Sequence, residues 1–112
     1  MAVINQYKFY GVTVTSAKTA NLLEPLISET YIVKSLHVTN KAAVNTPTIS
    51  ITNNGFQVIN TQTLTAATSV EILTNPMVVE GNTVLSFTTA GTVGDGVDIT
   101  ISYLNIKKEV TV

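Results

Sequence analysis

Apolar and polar residues alternate most regularly near the end of the chain. Between positions 97 and 104 the odd positions are apolar and the even positions are mostly polar. A period of two places successive side chains on opposite faces of an extended backbone, so this pattern predicts a strand with one buried face. The apolar positions are Val97, Ile99, Ile101 and Tyr103.

A second alternating segment spans residues 7–15. Val12 and Val14 share one face of this predicted strand, and threonines occupy the other. Gly11 interrupts the alternation and predicts a β-bulge or a close approach of another backbone.

The segment 30–40 predicts the best-defined strand in the first half of the chain. Simple alternation places Ile32, Leu36 and Val38 on one face and Val33 on the opposite face.

A hairpin is predicted where Asn53-Asn54-Gly55 separates two short alternating segments. Asn-Gly readily adopts the positive φ angles that a type I′ turn requires. The flanking segments, 48–52 and 56–59, are therefore expected to pair antiparallel.

Short β-rich segments recur with turn residues about every 8–12 residues, a spacing typical of sandwiches and jelly rolls. Leu64 and Val70 are expected in the core, and no segment predicts a helix, an internal repeat or a linker. The predicted fold class is all-β: a single small antiparallel β-sandwich, jelly-roll-like, with about eight strands. It forms one domain over residues 1–112, with short docking arms at both ends.

Composition supports this prediction, since the chain has 19 threonines, 15 valines and 10 isoleucines. β-Branched side chains are stiff and fit a pleated sheet well. Six lysines and seven carboxylates leave a net charge of −1, and only 12% of residues are charged. Phosphate recognition needs clustered basic residues, so no nucleic-acid partner is expected. So few charges favour a surface that neighbouring proteins cover.

Few side chains suggest chemistry. His37 is the only histidine, and we expect it to be exposed or at an interface, where a carboxylate of a neighbouring subunit would make it a pH sensor. Asp95 and Asp98 flank Gly96 and offer two carboxylates of the kind that calcium prefers, although the simpler interpretation is a polar turn. The glycines at 91–96 resemble a phosphate-binding loop, but the predicted strand that follows rules this out. We therefore expect no catalytic residue, no cofactor, no metal site and no enzymatic activity.

Apolar residues at both ends predict contacts with other subunits, and the alternative is that both ends complete edge strands of this chain itself. The aromatic residues Tyr7, Phe9 and Tyr10 also cluster near the start, where they would stack on sugars or form a core corner or a subunit contact. The start of the chain resembles neither a signal peptide nor a membrane anchor, so we expect synthesis in a cytoplasm and no membrane partner. The predicted contact residues are Ala2, Val3, Ile4, Val110 and Val112.

The chain resembles small virion structural proteins of tailed bacteriophages in the pattern of five segments. These segments are residues 31–40, 48–51, 68–73, 76–82 and 98–104. The resemblance implies a compact β-sandwich without enzymatic activity. It favours a capsid decoration (cement) protein that binds across neighbouring subunits of the major capsid protein and stabilises the head. The implied location is the virion, assembled in the cytoplasm of a bacterial host. Homo-oligomers are expected, with three-fold symmetry favoured by the geometry of such shells.

Two alternatives remain open at this stage. The first is a neck, tail or fibre attachment protein, which differs from a decoration protein only in its place in the virion. The second is a tail-tip module that recognises a host glycan or receptor, and such a module should have an exposed aromatic residue beside Asn and Asp groups.

Overall fold

The computed structural model describes residues 3–108, which form nine β-strands and no helix. The strands are β1 (Val3–Val14), β2 (Thr19–Leu23), β3 (Glu29–Asn40), β4 (Thr48–Asn53), β5 (Phe56–Thr63), β6 (Thr68–Glu71), β7 (Met77–Val79), β8 (Leu85–Ala90) and β9 (Val97–Lys108).

The strands form two antiparallel sheets. The first sheet has the order β1-β9-β3-β6, and β7 also pairs with β3; the second has the order β2-β8-β4-β5. β6 pairs with His37–Asn40 and β7 with Tyr31–Val33, so the two short strands share one edge of β3. Together β6 and β7 occupy a single strand position beside β3. Each sheet therefore has four strand positions, and the total of eight agrees with the predicted number of strands. The predicted all-β sandwich is confirmed, and its strand order is consistent with a jelly-roll-like arrangement.

The core lies between the two sheets and is built from aliphatic side chains. The four odd-numbered apolar residues of β9 are buried as predicted, and Ile99 and Ile101 are fully inaccessible. Leu64 is also buried, whereas Val70 is only half-buried at the short edge strand β6. Burial of this face is what selects the strand register, since a slip by one residue would turn every core residue outward.

The bulge predicted at Gly11 is absent. β1 pairs with β9 in continuous register from Val3, opposite Lys108, to Val14, opposite Val97. The ring of Phe9 lies only 3.4 Å from where a Cβ of Gly11 would stand. The ring of Phe9 therefore packs beside Gly11 on the sheet surface, at a distance that an added Cβ would also tolerate.

A bulge occurs instead in β3, at Lys34. Val33 lies opposite Tyr103 and Ser35 opposite Ser102, which leaves Lys34 as an extra residue. The extra residue shifts the alternation by one, so Val33 and Leu36 both point into the core. The prediction that Val33 lies on the face opposite Leu36 was therefore wrong.

The hairpin between β4 and β5 is confirmed. Asn54 has φ of 53° and Gly55 has φ of 81°. Positive φ at both central residues is the signature of the type I′ turn, whose twist matches that of the flanking strands.

Candidate interaction surface

The outer face of the first sheet divides into a polar half and an apolar half. In the polar half, side chains on neighbouring strands bond to one another, so little hydrogen-bonding capacity remains for a partner. The pairs are Thr13 Oγ1 to Asp98 Oδ1 at 2.6 Å, Thr39 and Ser69 at 2.8 Å, and His37 Nε2 to Glu71 Oε1 at 3.1 Å.

His37 is half exposed, and the carboxylate beside it belongs to its own chain. Glu71 is held in place because its second oxygen, Oε2, accepts hydrogen bonds from the N–H groups of Leu36 at 2.8 Å and Leu73 at 3.2 Å. The sequence suggested a carboxylate of a neighbouring subunit as the partner of His37. In the structure the partner is Glu71 of the same chain.

The two aspartates of the candidate calcium site, Asp95 and Asp98, have separate surroundings. Asp98 Oδ1 accepts a hydrogen bond from Thr13 and lies 3.3 Å from Lys41 Nζ, and these contacts hold its pKa below the ordinary value, the Thr13 hydrogen bond contributing most. Asp95 is exposed in the turn before β9. Within residues 3–108, no three or more His, Cys, Asp or Glu side chains lie close enough to hold a metal ion.

The apolar half contains a row of four side chains that crosses four of the five strands of the sheet, β1, β9, β3 and β7. Tyr7 on β1 lies opposite Leu104 on β9, Leu104 opposite Ile32 on β3, and Ile32 opposite Val78 on β7. Residues that are directly opposite share a face of the sheet, so the four form a continuous apolar strip. Tyr7 is 77% exposed and Phe9, two positions along β1, is 69% exposed.

The first half of β1 is exposed on both of its faces. Every side chain from Ile4 to Phe9 is exposed, including Gln6 and Lys8, which share the face of the buried Val14. β1 has twelve residues, whereas β2, the edge strand of the other sheet, has only five. Within residues 3–108, this part of β1 pairs with β9 and with no other strand.

The predicted contact residues fall partly on this strand. Val3 and Ile4 belong to β1, opposite Lys108 and Lys107, and Ile4 is 50% exposed. Ala2, Val110 and Val112 lie outside the described residues. Sequence patterns did not reveal the apolar row, because its four members are 7, 32, 78 and 104 in the chain and only the pairing of β1, β9, β3 and β7 brings them together.

A second exposed apolar area lies at the loops between β2 and β3 and between β7 and β8. Leu26 and Ile27 are 63% and 86% exposed and, with Val84, line an open cavity of about 620 Å³. A neighbouring cavity of about 320 Å³ has Phe56, 75% exposed, beside polar side chains. These polar residues are Asn53, Asn54, Gln57, Glu80 and Thr83.

No protein-family model and no curated protein matches this chain. Among solved structures, it is similar to a chain from the disulfide-linked pili of Bacillus endospore appendages, with a TM-score of 0.55 and 14% identity over 96% of this chain and 89% of that one. Weaker similarities, both with a TM-score of 0.43, are to chains of the T13 IBDV viral particle and of the Gx strain of infectious bursal disease virus. Their identities are 13% and 15%, and the matches cover 96% and 98% of this chain but only 36% and 37% of theirs. The similarity to the pilus chain shows a shared fold.

Proposed function

We propose that this chain is a non-enzymatic structural subunit that assembles with copies of itself and with other structural proteins. Its specific role, on this proposal, is that of a capsid decoration protein of a tailed bacteriophage, located in the virion and bound across neighbouring capsid subunits. The observation that carries the proposal is the apolar row Tyr7–Leu104–Ile32–Val78 on the outer face of the first sheet, whose two ends are exposed and whose two middle residues are partly buried.

An apolar row on the solvent face of a sheet is costly for an isolated protein. Each large apolar side chain that a partner covers contributes about 1.5–3 kcal/mol relative to full exposure. Monomeric proteins rarely expose apolar patches of more than a few hundred Å², and larger ones mark contact sites. The row contains no charged side chain, as is typical of the centre of a protein interface.

The nature of the assembly contacts follows from composition. The similar pilus chain comes from disulfide-linked pili, but this sequence contains no cysteine. Any assembly of this chain therefore relies on contacts other than disulfides, and we expect apolar burial and strand pairing to supply them. Weak contacts of this kind become effective when symmetry repeats them, because each contact raises the effective concentration of the next.

The test is the number of copies of this chain in purified virus particles, measured by quantitative mass spectrometry against the major capsid protein. A simple ratio to the capsid subunit is expected for a decoration protein. A few copies per particle would instead assign the chain to the neck, tail or fibres, and absence from particles would contradict the structural role. The three-fold symmetry favoured by the resemblance stays a prediction.

Glycan binding is the second candidate, and the surroundings of Phe56 favour it. An exposed aromatic ring beside Asn53, Asn54 and Gln57 offers a stacking surface and amide groups that hydrogen-bond to sugar hydroxyls. Titration of the protein with oligosaccharides, followed by NMR, should then shift resonances around Phe56. Phe56→Ala should abolish these shifts, whereas Val44→Ala, a change at a similarly exposed site, should not.

A further inference from the structure

The four edges of the two sheets differ in how well they are protected against pairing with another chain. β2 has five residues and a register shift, and β5 has two register shifts and a residue, Thr61, with φ of 54°. β6 and β7 have four and three residues. Short, irregular edges of this kind are how β-proteins avoid unwanted strand addition.

β1 has none of these protections. Its twelve residues keep one continuous register with β9, and Lys8 is its only charged residue. Because β1 lies at the edge of the first sheet, alternate N–H and C=O groups along it point away from β9 toward any strand that approaches. Its first half is also exposed on both faces, and among residues 3–108 no strand pairs with its free edge.

We propose that β1 pairs antiparallel with β1 of a second copy of this chain, around a two-fold axis at Tyr7. The proposal rests on the structural role argued above and specifies one of its contacts. The two first sheets then join into one continuous sheet across the dimer, which satisfies the free backbone groups of both edges.

The position of the axis follows from charge and from the apolar row. An axis at Lys8 would place the two Lys8 ammonium groups opposite each other, which is destabilising. An axis at Tyr7 places Lys8 opposite Gln6 of the second copy and Asn5 opposite Phe9. It also joins the two apolar rows end to end at Tyr7, so that eight apolar residues cross the dimer in a single line.

The area available is sufficient for a specific but weak contact. With roughly 200 Å² for a large side chain, the exposed fractions of Ile4, Tyr7 and Phe9 correspond to about 400 Å² in each copy. Two copies together offer at most about 800 Å² of this side-chain surface, since pairing of the edges buries only the part that faces the second copy, and this is below the size of standard specific interfaces. Such a dimer dissociates readily when isolated and persists where an assembly holds many copies together.

A two-fold contact differs from the three-fold symmetry that the resemblance to phage virion proteins favours. Pairing of an edge with itself is an isologous contact, which closes after two copies. A three-fold ring would need β1 to pair with a different edge, and the other edges are short or irregular. The structure therefore favours dimers through β1.

Single-cysteine variants test this pairing directly, because the natural sequence contains no cysteine that could react. Tyr7→Cys should form disulfide-linked dimers under mild oxidation much faster than Val44→Cys, at a site that is 82% exposed outside β1. Asn5→Cys and Phe9→Cys should each cross-link poorly alone. In this register each cysteine is offset by four residues, about 13 Å along the strand, from the same position in the second copy. A mixture of the two should cross-link readily, because position 5 lies opposite position 9.

Equal rates for Tyr7→Cys and Val44→Cys would overturn the pairing. Fast cross-linking of Asn5→Cys alone or Phe9→Cys alone would overturn the axis at Tyr7. All these sites are exposed, so the thermal unfolding temperature should be nearly the same in every variant. This measurement serves as the control that each variant is folded.

A charge change gives a second, independent test. Gln6→Glu should tighten the dimer about fivefold, because two new Glu–Lys8 pairs form across the axis, and Gln6→Lys should weaken it by a similar factor. The readout is the dissociation constant from sedimentation at low ionic strength, and added salt should shrink the difference. No difference between the two variants would contradict this register.

The outcomes separate this proposal from the structural role on which it rests. If particles contain the chain but the β1 variants show no specific cross-linking, the pairing is wrong and the structural role stands. If β1 cross-links as described but particles lack the chain, the virion role is wrong and the pairing stands.

Discussion

Asn105 on β9 donates a hydrogen bond from Nδ2 to Glu29 Oε2, at 2.9 Å, inside one end of the sandwich. Glu29 is only 8% exposed, and its other oxygen accepts the N–H of Leu26 at 2.9 Å and a longer contact from the Tyr31 hydroxyl at 3.4 Å. One carboxylate thus ties the turn before β3 to the central strand β9. The Leu26 N–H is the largest of the causes that hold the pKa of Glu29 below its ordinary value, 4.5.

Loss of this carboxylate should lower stability and change its dependence on pH. Because the pKa of Glu29 is depressed in the folded protein, its contribution is present above pH 4.5 and is lost as the pH falls through the folded-state value. Glu29→Gln should reduce the free energy of unfolding at neutral pH by about 1–3 kcal/mol, the cost typical of a lost charged hydrogen bond.

The measurement is urea unfolding at a series of acidic pH values, with Glu80→Gln, a change at an exposed site, as the control. The acid-induced loss of stability should be smaller in Glu29→Gln than in the natural protein and unchanged in the control. Equal losses in all three proteins would show that Glu29 is not responsible.

Tyr31 should limit stability at high pH. Burial, together with the nearby Glu29 charge, raises the pKa of Tyr31 to about 12 from the ordinary 10.0. Its contribution is therefore complete below pH 10 and is lost as the pH rises toward 12. In Tyr31→Phe the decline of the unfolding free energy over this range should be smaller, and an unchanged decline would refute this assignment.

Tyrosinate absorbance should show that Glu29→Gln lowers the pKa of Tyr31.

Two glycine-to-alanine changes should differ in cost because their surroundings differ. At Gly55, φ is 81° and no atom lies within 4 Å of an added Cβ, so the cost is backbone strain alone, about 1 kcal/mol. At Gly81 an added Cβ would stand 2.7 Å from the carbonyl oxygens of Leu26, Ile27 and Glu29. Gly81→Ala should therefore cost more, about 2–3 kcal/mol in chemical unfolding, and the reverse order would contradict the close packing of the turn against Gly81.

Two isoleucine truncations compare the core with the surface. Ile101 on β9 is fully buried between the sheets, so Ile101→Ala should cost about 2–5 kcal/mol by loss of burial and creation of a cavity. Ile27 is 86% exposed, so Ile27→Ala should change the free energy of unfolding by about 0.5 kcal/mol or less. Thermal unfolding of both variants measures the difference, and a large loss in Ile27→Ala would show that this side chain is covered.

Local patterns were informative where one face of a strand is buried or a turn needs special backbone angles. The alternation of 97–104 and the Asn54-Gly55 turn were both predicted correctly, because each depends only on residues close together in the sequence. The bulge in β3 was missed, because Lys34 is left unpaired by the register against β9, and nothing around Lys34 in the sequence indicates this.

The sequence by itself determined the fold class of this protein, since β-branched residues with a period of two can bury a face only as strands in stacked sheets. Subunit contacts near the start of the chain stay a prediction. Only the tertiary structure decided which surface is left exposed: the row from Tyr7 to Val78 exists because β9 lies between β1 and β3. Likewise, β1 is identified as the unprotected edge only by comparison with the short or irregular edges elsewhere. Strand order and edge position depend on pairing between distant segments, which the alternation within each segment does not encode.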